Sequence, residues 1–183
     1  RGVEEHPLAL PLDDEPDHPR ARLGHAFASA VRGEPAQGES LALALALPAD
    51  PSAALQIAAG DAARAIAAAS SDPERRDEAL ALARERYADA MRSPSPSARA
   101  EMGMAESYLE VEGEDPAGAA VWIEAARKRR GGSLLLELRL AQSEASSGAE
   151  RSAQIRARNV ISRTHDRVIE KQARALLESR SPR

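Results

Sequence analysis

Apolar residues recur at helical spacing along most of the chain, and three such runs follow one another between residues 72 and 131. Asp72-Pro73 precedes the first run, Ser97 the second and Asp115-Pro116 the third. Asp or Ser at an N-cap accepts a hydrogen bond from the first turn of a helix, and Pro at the first helical position has no N–H to leave unpaired. The three predicted helices are 74–91, 98–111 and 117–130.

The first and third of these helices share a ladder of small, large and small residues. The ladder is Ala83, Tyr87 and Ala90 in the first helix, and Ala119, Ile123 and Ala126 in the third. The two ladders lie 36 residues apart, which is a period typical of stacked helical hairpins. The pattern therefore predicts an all-α fold, an α-solenoid of stacked antiparallel hairpins with about eight helices.

Further helices are predicted on both sides of this region. They are 19–32, a short buried helix at 39–47, 50–69 opened by Asp50-Pro51, 133–146, 150–163, and a last helix that Thr164 caps. Residues 39–47 alternate Leu with Ala, which is a strand period, but Ala favours helices. Phe27 is predicted to be a core anchor. Other residues predicted to face inward include Val31, Leu55, Ala58, Ala69, Leu135 and Ile155, together with Val168 and Leu177 on the last helix.

Composition fits helices that pack closely. Aromatic residues make up only 2% of the chain, and Ala and Leu dominate its apolar content, so a sheet is disfavoured. The absence of Cys excludes disulfides, thiolate metal sites and Cys nucleophiles. No apolar run approaches the roughly 20 residues of a membrane span. Residues 1–17, with three Pro and a cluster of acids, are predicted to form an extended arm ahead of a single helical domain, 18–183.

The charge is unevenly distributed. Residues 1–50 hold nine acidic and four basic residues, whereas residues 151–183 hold nine basic and three acidic residues. Solvated helix faces explain this distribution, and so does a tail that meets nucleic acid together with the basic run 127–130. Both explanations stay open. An enzyme is disfavoured because no catalytic constellation, phosphate-binding Gly loop or zinc motif is present in the sequence.

Two adjacent helices resemble one tetratricopeptide-like repeat. Met104-Ala105 with Tyr108 is similar to the first-helix pattern of that family, and Ala119, Ile123 and Ala126 are similar to the second. Leu140-Ala141 repeats the first pattern 36 residues later, although Glu144 stands at the position of Tyr108 and does not fit the pattern. The resemblance covers about residues 52–163. It implies a right-handed solenoid whose first helices line a concave groove.

By the same resemblance, six residues are expected to face that groove and to bind a partner. They are Arg99, Met102, Glu106, Leu109, Glu110 and Gln142. The expected function is a non-enzymatic scaffold that binds a peptide or helix of another protein in a bacterial assembly, without cofactor or metal. The alternative is a nucleic-acid-associated or regulatory domain that acts through the basic C-terminal helices. The chain starts at Arg1 instead of Met, so we expect a fragment or processed product, from the bacterial cytoplasm or periplasm.

Overall fold

The computed structural model describes residues 18–33, 46–94, 96–109, 115–129 and 131–178. Within these ranges the chain is all-helical, with eight helices and no strand, as the sequence predicted. The helices are α1 (Pro19–Val31), α2 (Ala53–Ala69), α3 (Pro73–Met91), α4 (Ala98–Tyr108), α5 (Pro116–Lys128), α6 (Leu134–Ser146), α7 (Glu150–Arg163) and α8 (Arg167–Glu178). The predicted arm at 1–17 lies outside the described residues, and so does nearly all of the short helix predicted at 39–47.

Most helix starts follow the predicted capping chemistry. The Asp72 side chain accepts from the Glu74 N–H at 3.0 Å, and the Asp115 side chain accepts from the Gly118 N–H at 2.8 Å. Both helices have Pro in their first turn. The Ser97 hydroxyl likewise accepts from the Arg99 N–H, at 3.2 Å. The helix boundaries in the middle of the chain are therefore local properties of the sequence.

Two predicted caps are wrong. Helix α2 begins at Ala53, and the Ser52 hydroxyl accepts from the Leu55 N–H, so the Asp50-Pro51 pair lies before the helix. Helix α8 is capped by Asp166, whose carboxylate accepts from the Val168 N–H at 2.7 Å. The Thr164 hydroxyl instead accepts from the Asp166 N–H in the preceding turn. In both cases a second capping residue lies two positions later in the sequence, and it sits closer to the first helical turn.

Each helix packs against the next one in chain order. In addition α4 packs against α2, and α8 packs against α6, whereas α4 and α6 approach each other less closely. The core is built mainly from Ala and Leu. Its largest fully buried side chain is Tyr87, which reaches between α2 and α4 from α3. Trp122 is partly buried between the cluster around Tyr87 and the cluster that joins α4, α5 and α6.

Several apolar side chains predicted to face inward are exposed. Phe27 is 45% exposed and Val31 is 66% exposed, while Leu23, Ala26 and Ala30 bury the face of α1 that meets α2. Leu135, Ile155 and Val168 are exposed as well. In α2, the predicted Leu55, Ala58 and Ala69 are only partly buried, and Ala59, Ala63 and Ala67 fill the interior. A helix with few neighbours buries a narrow stripe, so apolar residues at the edge of that stripe stay in water.

Candidate functional site

The residues predicted to line a groove have different environments in the structure. Leu109 is 3% exposed and packs in the cluster that joins α4, α5 and α6, so it contributes to the core instead of an open surface. Met102 is partly buried against the same cluster. Arg99 and Glu106 lie at the α2–α4 contact, Gln142 is exposed on α6, and Glu110 lies outside the described residues.

Arg99 and Glu106 belong to a polar network between α2 and α4. The Arg99 guanidinium donates to Asp61 Oδ1 at 2.8 Å and to Glu106 Oε2 at 3.3 Å. The Arg64 guanidinium donates to the same Glu106 oxygen. Two arginines thus meet two carboxylates, and the network has no net charge. These groups hold α4 against α2 through charge-assisted hydrogen bonds.

Tyr87 of α3 also hydrogen-bonds to this network. Its hydroxyl donates to Asp61 Oδ1 at 2.6 Å, while its ring lies against the backbones of Gly60 and Gly103. A Cβ on Gly103 would lie 2.4 Å from Tyr87 Cζ, and one on Gly60 would lie 2.7 Å from Tyr87 Cε1. Tyr87 is thus the close neighbour of both glycines. Both glycines are required because the ring fills the space of a side chain on each flanking helix.

The network also controls the protonation of its members. Burial raises the pKa of the Tyr87 phenol above its ordinary value, and the Asp61 carboxylate raises it further. Burial lowers the pKa of the Arg99 guanidinium, but the Asp61 and Glu106 carboxylates outweigh this effect and raise it overall. Tyr87 therefore remains a neutral donor and Arg99 remains a cation, as the observed bonds require.

A second polar contact joins α3 to α4. Arg84 Nε donates to the Ser107 hydroxyl at 3.2 Å, and Arg84 Nη2 donates to the Ser107 carbonyl at 3.0 Å. The same guanidinium lies 4.2 Å from the centre of the Tyr108 ring. The Ser107 hydroxyl in turn donates to the Met104 carbonyl at 2.7 Å. This buried serine is fully satisfied.

Buried glutamates on α4 and α6 meet arginines at the ends of the following helices. The Glu101 side chain is 4% exposed and accepts from Arg129, just after α5. The Glu137 side chain is 2% exposed and accepts from Arg163 at 2.9 Å, at the end of α7. The two glutamates are 36 residues apart. The sequence reading missed these pairs, although the spacing could have found them.

The arginines themselves follow a repeated spacing. Arg129 comes three residues after the ladder Ala119, Ile123, Ala126, and Arg163 comes three residues after Ala153, Ala157 and Val160. All six ladder residues are buried. A second acid on α6, Glu144, accepts from Arg156 at 3.0 Å and from Ser152 at 2.9 Å. Two of the nine basic residues in 151–183 are therefore paired with acids of α6.

No family model matches this chain, and neither does any curated protein or solved structure. The side-chain geometry therefore carries the functional inference. Within the described part of the chain, no group of three or more His, Asp or Glu side chains is arranged to hold a metal ion. None of the described helices combines the length and the apolar character that crossing a membrane requires.

One face of α6 stands apart from these closed networks. Leu135, Arg139 and Gln142 follow one another at intervals of four and three residues, so they lie on one side of the helix. Leu135 is 54% exposed, Gln142 is exposed and Arg139 is partly buried. We call these three residues the α6 row. The corresponding positions of α4, 36 residues earlier, are Arg99, Gly103 and Glu106, all of which contact α2 or Tyr87.

Proposed function

We propose that this protein is a non-enzymatic scaffold that binds a segment of a partner protein in a groove between successive first helices of a tetratricopeptide-like solenoid. The single observation that carries the proposal is the α6 row. It holds an exposed aliphatic side chain, a partly buried cation and an exposed amide on one helix face. Such a mixture is typical of surfaces that bind peptides or helices.

The repeated side-chain pattern supports the solenoid part of the proposal. The pairs Glu101–Arg129 and Glu137–Arg163 each join a first helix to the end of its second helix. The two buried ladders have the same internal spacing, and each ends three residues before the arginine. In this register α2, α4, α6 and α8 are first helices, and their exposed sides form one concave surface in a single helical-repeat domain. The groove lies between α4 and α6, where these helices approach each other less closely than α2 and α4 do.

Of the six residues expected in the groove, Gln142 and Met102 keep that role in the proposal, and Arg99 and Glu106 form its charged edge. Leu109 acts from beneath the surface by packing, because it is buried. Glu106 is a poor position for a test, since reversing its charge would break its bonds to Arg64 and Arg99. Leu135 and Gln142 are better positions, because no side-chain bond of the described fold depends on them.

The experiment is an affinity capture from nuclease-treated lysate of the native host, with wild-type bait compared with Leu135→Asp, Gln142→Arg bait. We expect specific protein partners that are lost from the double variant and retained by a control variant, Val121→Asp, Lys128→Glu, on the exposed side of α5. Equal loss from both variants, or retention by both, would contradict a groove at the α6 row. Circular dichroism should show the same helix content for all three baits.

Nucleic-acid binding through residues 151–183 and 127–130 is the second candidate. Exposed bases such as Arg151, Arg158 and Lys171 favour it. However, buried glutamates form ion pairs with Arg129, Arg156 and Arg163. These ion pairs partly neutralise the three arginines and weaken their attraction for phosphates. Fluorescence anisotropy with single- and double-stranded oligonucleotides at 50 mM and 200 mM salt tests it, because phosphate contacts must strengthen as salt falls. We expect no salt-dependent binding at either concentration.

A further inference from the structure

Arg139 differs from the other partly buried arginines. Six further arginines of the described chain are partly buried, and each donates to an oxygen atom or lies within ion-pair distance of one. They are Arg64, Arg76, Arg84, Arg86, Arg99 and Arg156. Arg139 has neither a hydrogen bond nor an ion pair with any described residue. Its guanidinium is therefore available to pair with a carboxylate supplied by another molecule.

The position of Arg139 explains why the fold leaves it unpaired. Its counterpart 36 residues earlier is Gly103, which Tyr87 and α2 cover. On either side of Gly103, Arg99 and Glu106 find partners on α2. Helix α4 does not approach α6 in the same way, so nothing from α4 closes the α6 row.

Leu135 lies one helical turn before Arg139 and is 54% exposed. An exposed aliphatic side chain one helical turn from an unpaired guanidinium favours a partner that offers a carboxylate beside an aliphatic group. The guanidinium binds a carboxylate through two parallel hydrogen bonds, and its planar fork fixes the orientation of that carboxylate. The aliphatic side chain excludes water from the ion pair and thereby strengthens it.

We propose that the α6 row binds an acidic segment of a partner protein, with a carboxylate on Arg139 and an adjacent aliphatic side chain on Leu135. This inference rests on the proposed function and specifies the chemistry of the partner. The Gln142 amide, one turn further along the same face, donates to or accepts from the partner backbone. The charge of Arg139 is the specificity determinant, because the corresponding part of α4 is internally neutral.

The test is selection of random 12-residue peptides by display on the full chain, followed by affinity measurement with the selected peptides. We expect the enriched peptides to share an acidic residue next to an aliphatic one. Arg139→Glu should weaken their binding at least about tenfold. A new selection on the Arg139→Glu variant should enrich Lys or Arg at the position of the acid. Arg158→Glu is the matched control, since Arg158 is an exposed arginine on α7.

The outcomes separate the two proposals. Peptides that lose binding with Leu135→Asp, but keep it with Arg139→Glu and with the uncharged Arg139→Gln, would overturn the carboxylate contact and leave the groove intact. Equal losses with Arg139→Glu and Arg158→Glu would also overturn it, because they would show only a long-range charge effect. Failure to enrich any peptide would contradict both the acidic partner segment and the proposed groove.

Discussion

The helix pairs α4/α5 and α6/α7 use the same positions for different chemistry. Both pairs place a buried Glu in the first helix, a buried ladder in the second and an Arg at the end of the second. The two pairs differ in how the preceding helices pack against α4 and α6. Around α4, Tyr87 and the Asp61–Arg64–Arg99–Glu106 network fill the contact with α2. Around α6, the corresponding row faces outward.

This comparison separates contacts within a helix pair from contacts between pairs. The glutamate–arginine contact lies within each of these pairs and recurs. The contacts of Tyr87 with Gly103 and of Arg84 with Ser107 lie between pairs, and among the described residues they have no equivalent between α5 and α6. The counterpart of Arg84, 36 residues later, is Ala120, and the counterpart of Ser107 is Ser143. The Ser143 hydroxyl is buried without a hydrogen-bond partner in the described structure. Arg84 therefore supplies Ser107 with a hydrogen-bond donor that Ala120 cannot supply to Ser143.

The largest effect is expected from Gly103→Ala. The new Cβ would lie 2.4 Å from Tyr87 Cζ, so the free energy of unfolding should fall by about 3 kcal/mol, measured by urea denaturation. Gly24→Ala is the control on α1, where a Cβ meets nothing within 4 Å and helix propensity predicts a gain of about 0.5–1 kcal/mol. Adding Tyr87→Ile, which copies Ile123, should recover part of the loss. Independent, additive effects of the two changes would contradict the proposed steric cause.

A smaller loss is expected from Arg163→Gln. The change leaves the buried Glu137 carboxylate without its cation and should cost about 2 kcal/mol, below the full cost of breaking a buried pair because Arg163 is 44% exposed. Arg174→Gln is the matched control, since the Arg174–Glu170 pair is exposed and worth at most about 0.5 kcal/mol. The loss of stability of each variant is measured by thermal unfolding. Similar shifts would show that the buried pair within α6/α7 does not behave differently from a surface pair.

The smallest difference is expected between two serines at corresponding positions. Ser107→Ala removes the acceptor of Arg84 Nε and should cost about 1–2 kcal/mol. Ser143→Ala removes a buried hydroxyl that has no partner and should be neutral or slightly stabilising. Chemical denaturation under identical conditions compares them. Equal losses from the two changes would mean that Ser143 gains a bond, for instance to water, that these contacts do not include.

The sequence by itself determined the helices and their caps from Asp72 to Lys128, because capping bonds and helical periodicity act within a few residues. It also placed the ladder residues of α3 and α5 inside. It could not decide which edge residues are buried, and Phe27, Ile155 and Val168 were wrongly placed for that reason. Nor did it separate the groove residues that form closed networks, Arg99 and Glu106, from those that stay accessible.

Only the tertiary structure decided those questions, because they depend on which helix lies opposite each face. Arg99 lies on α4 and Arg139 on the corresponding side of α6, yet α2 closes one face and nothing described closes the other. The sequence identifies Tyr87 as the large residue of a ladder. Its ring also requires glycine at Gly60, 27 residues earlier, and at Gly103, 16 residues later, and only the packing of α2 and α4 shows this. Local rules fix the elements, and packing between distant segments fixes which side chains remain free to bind.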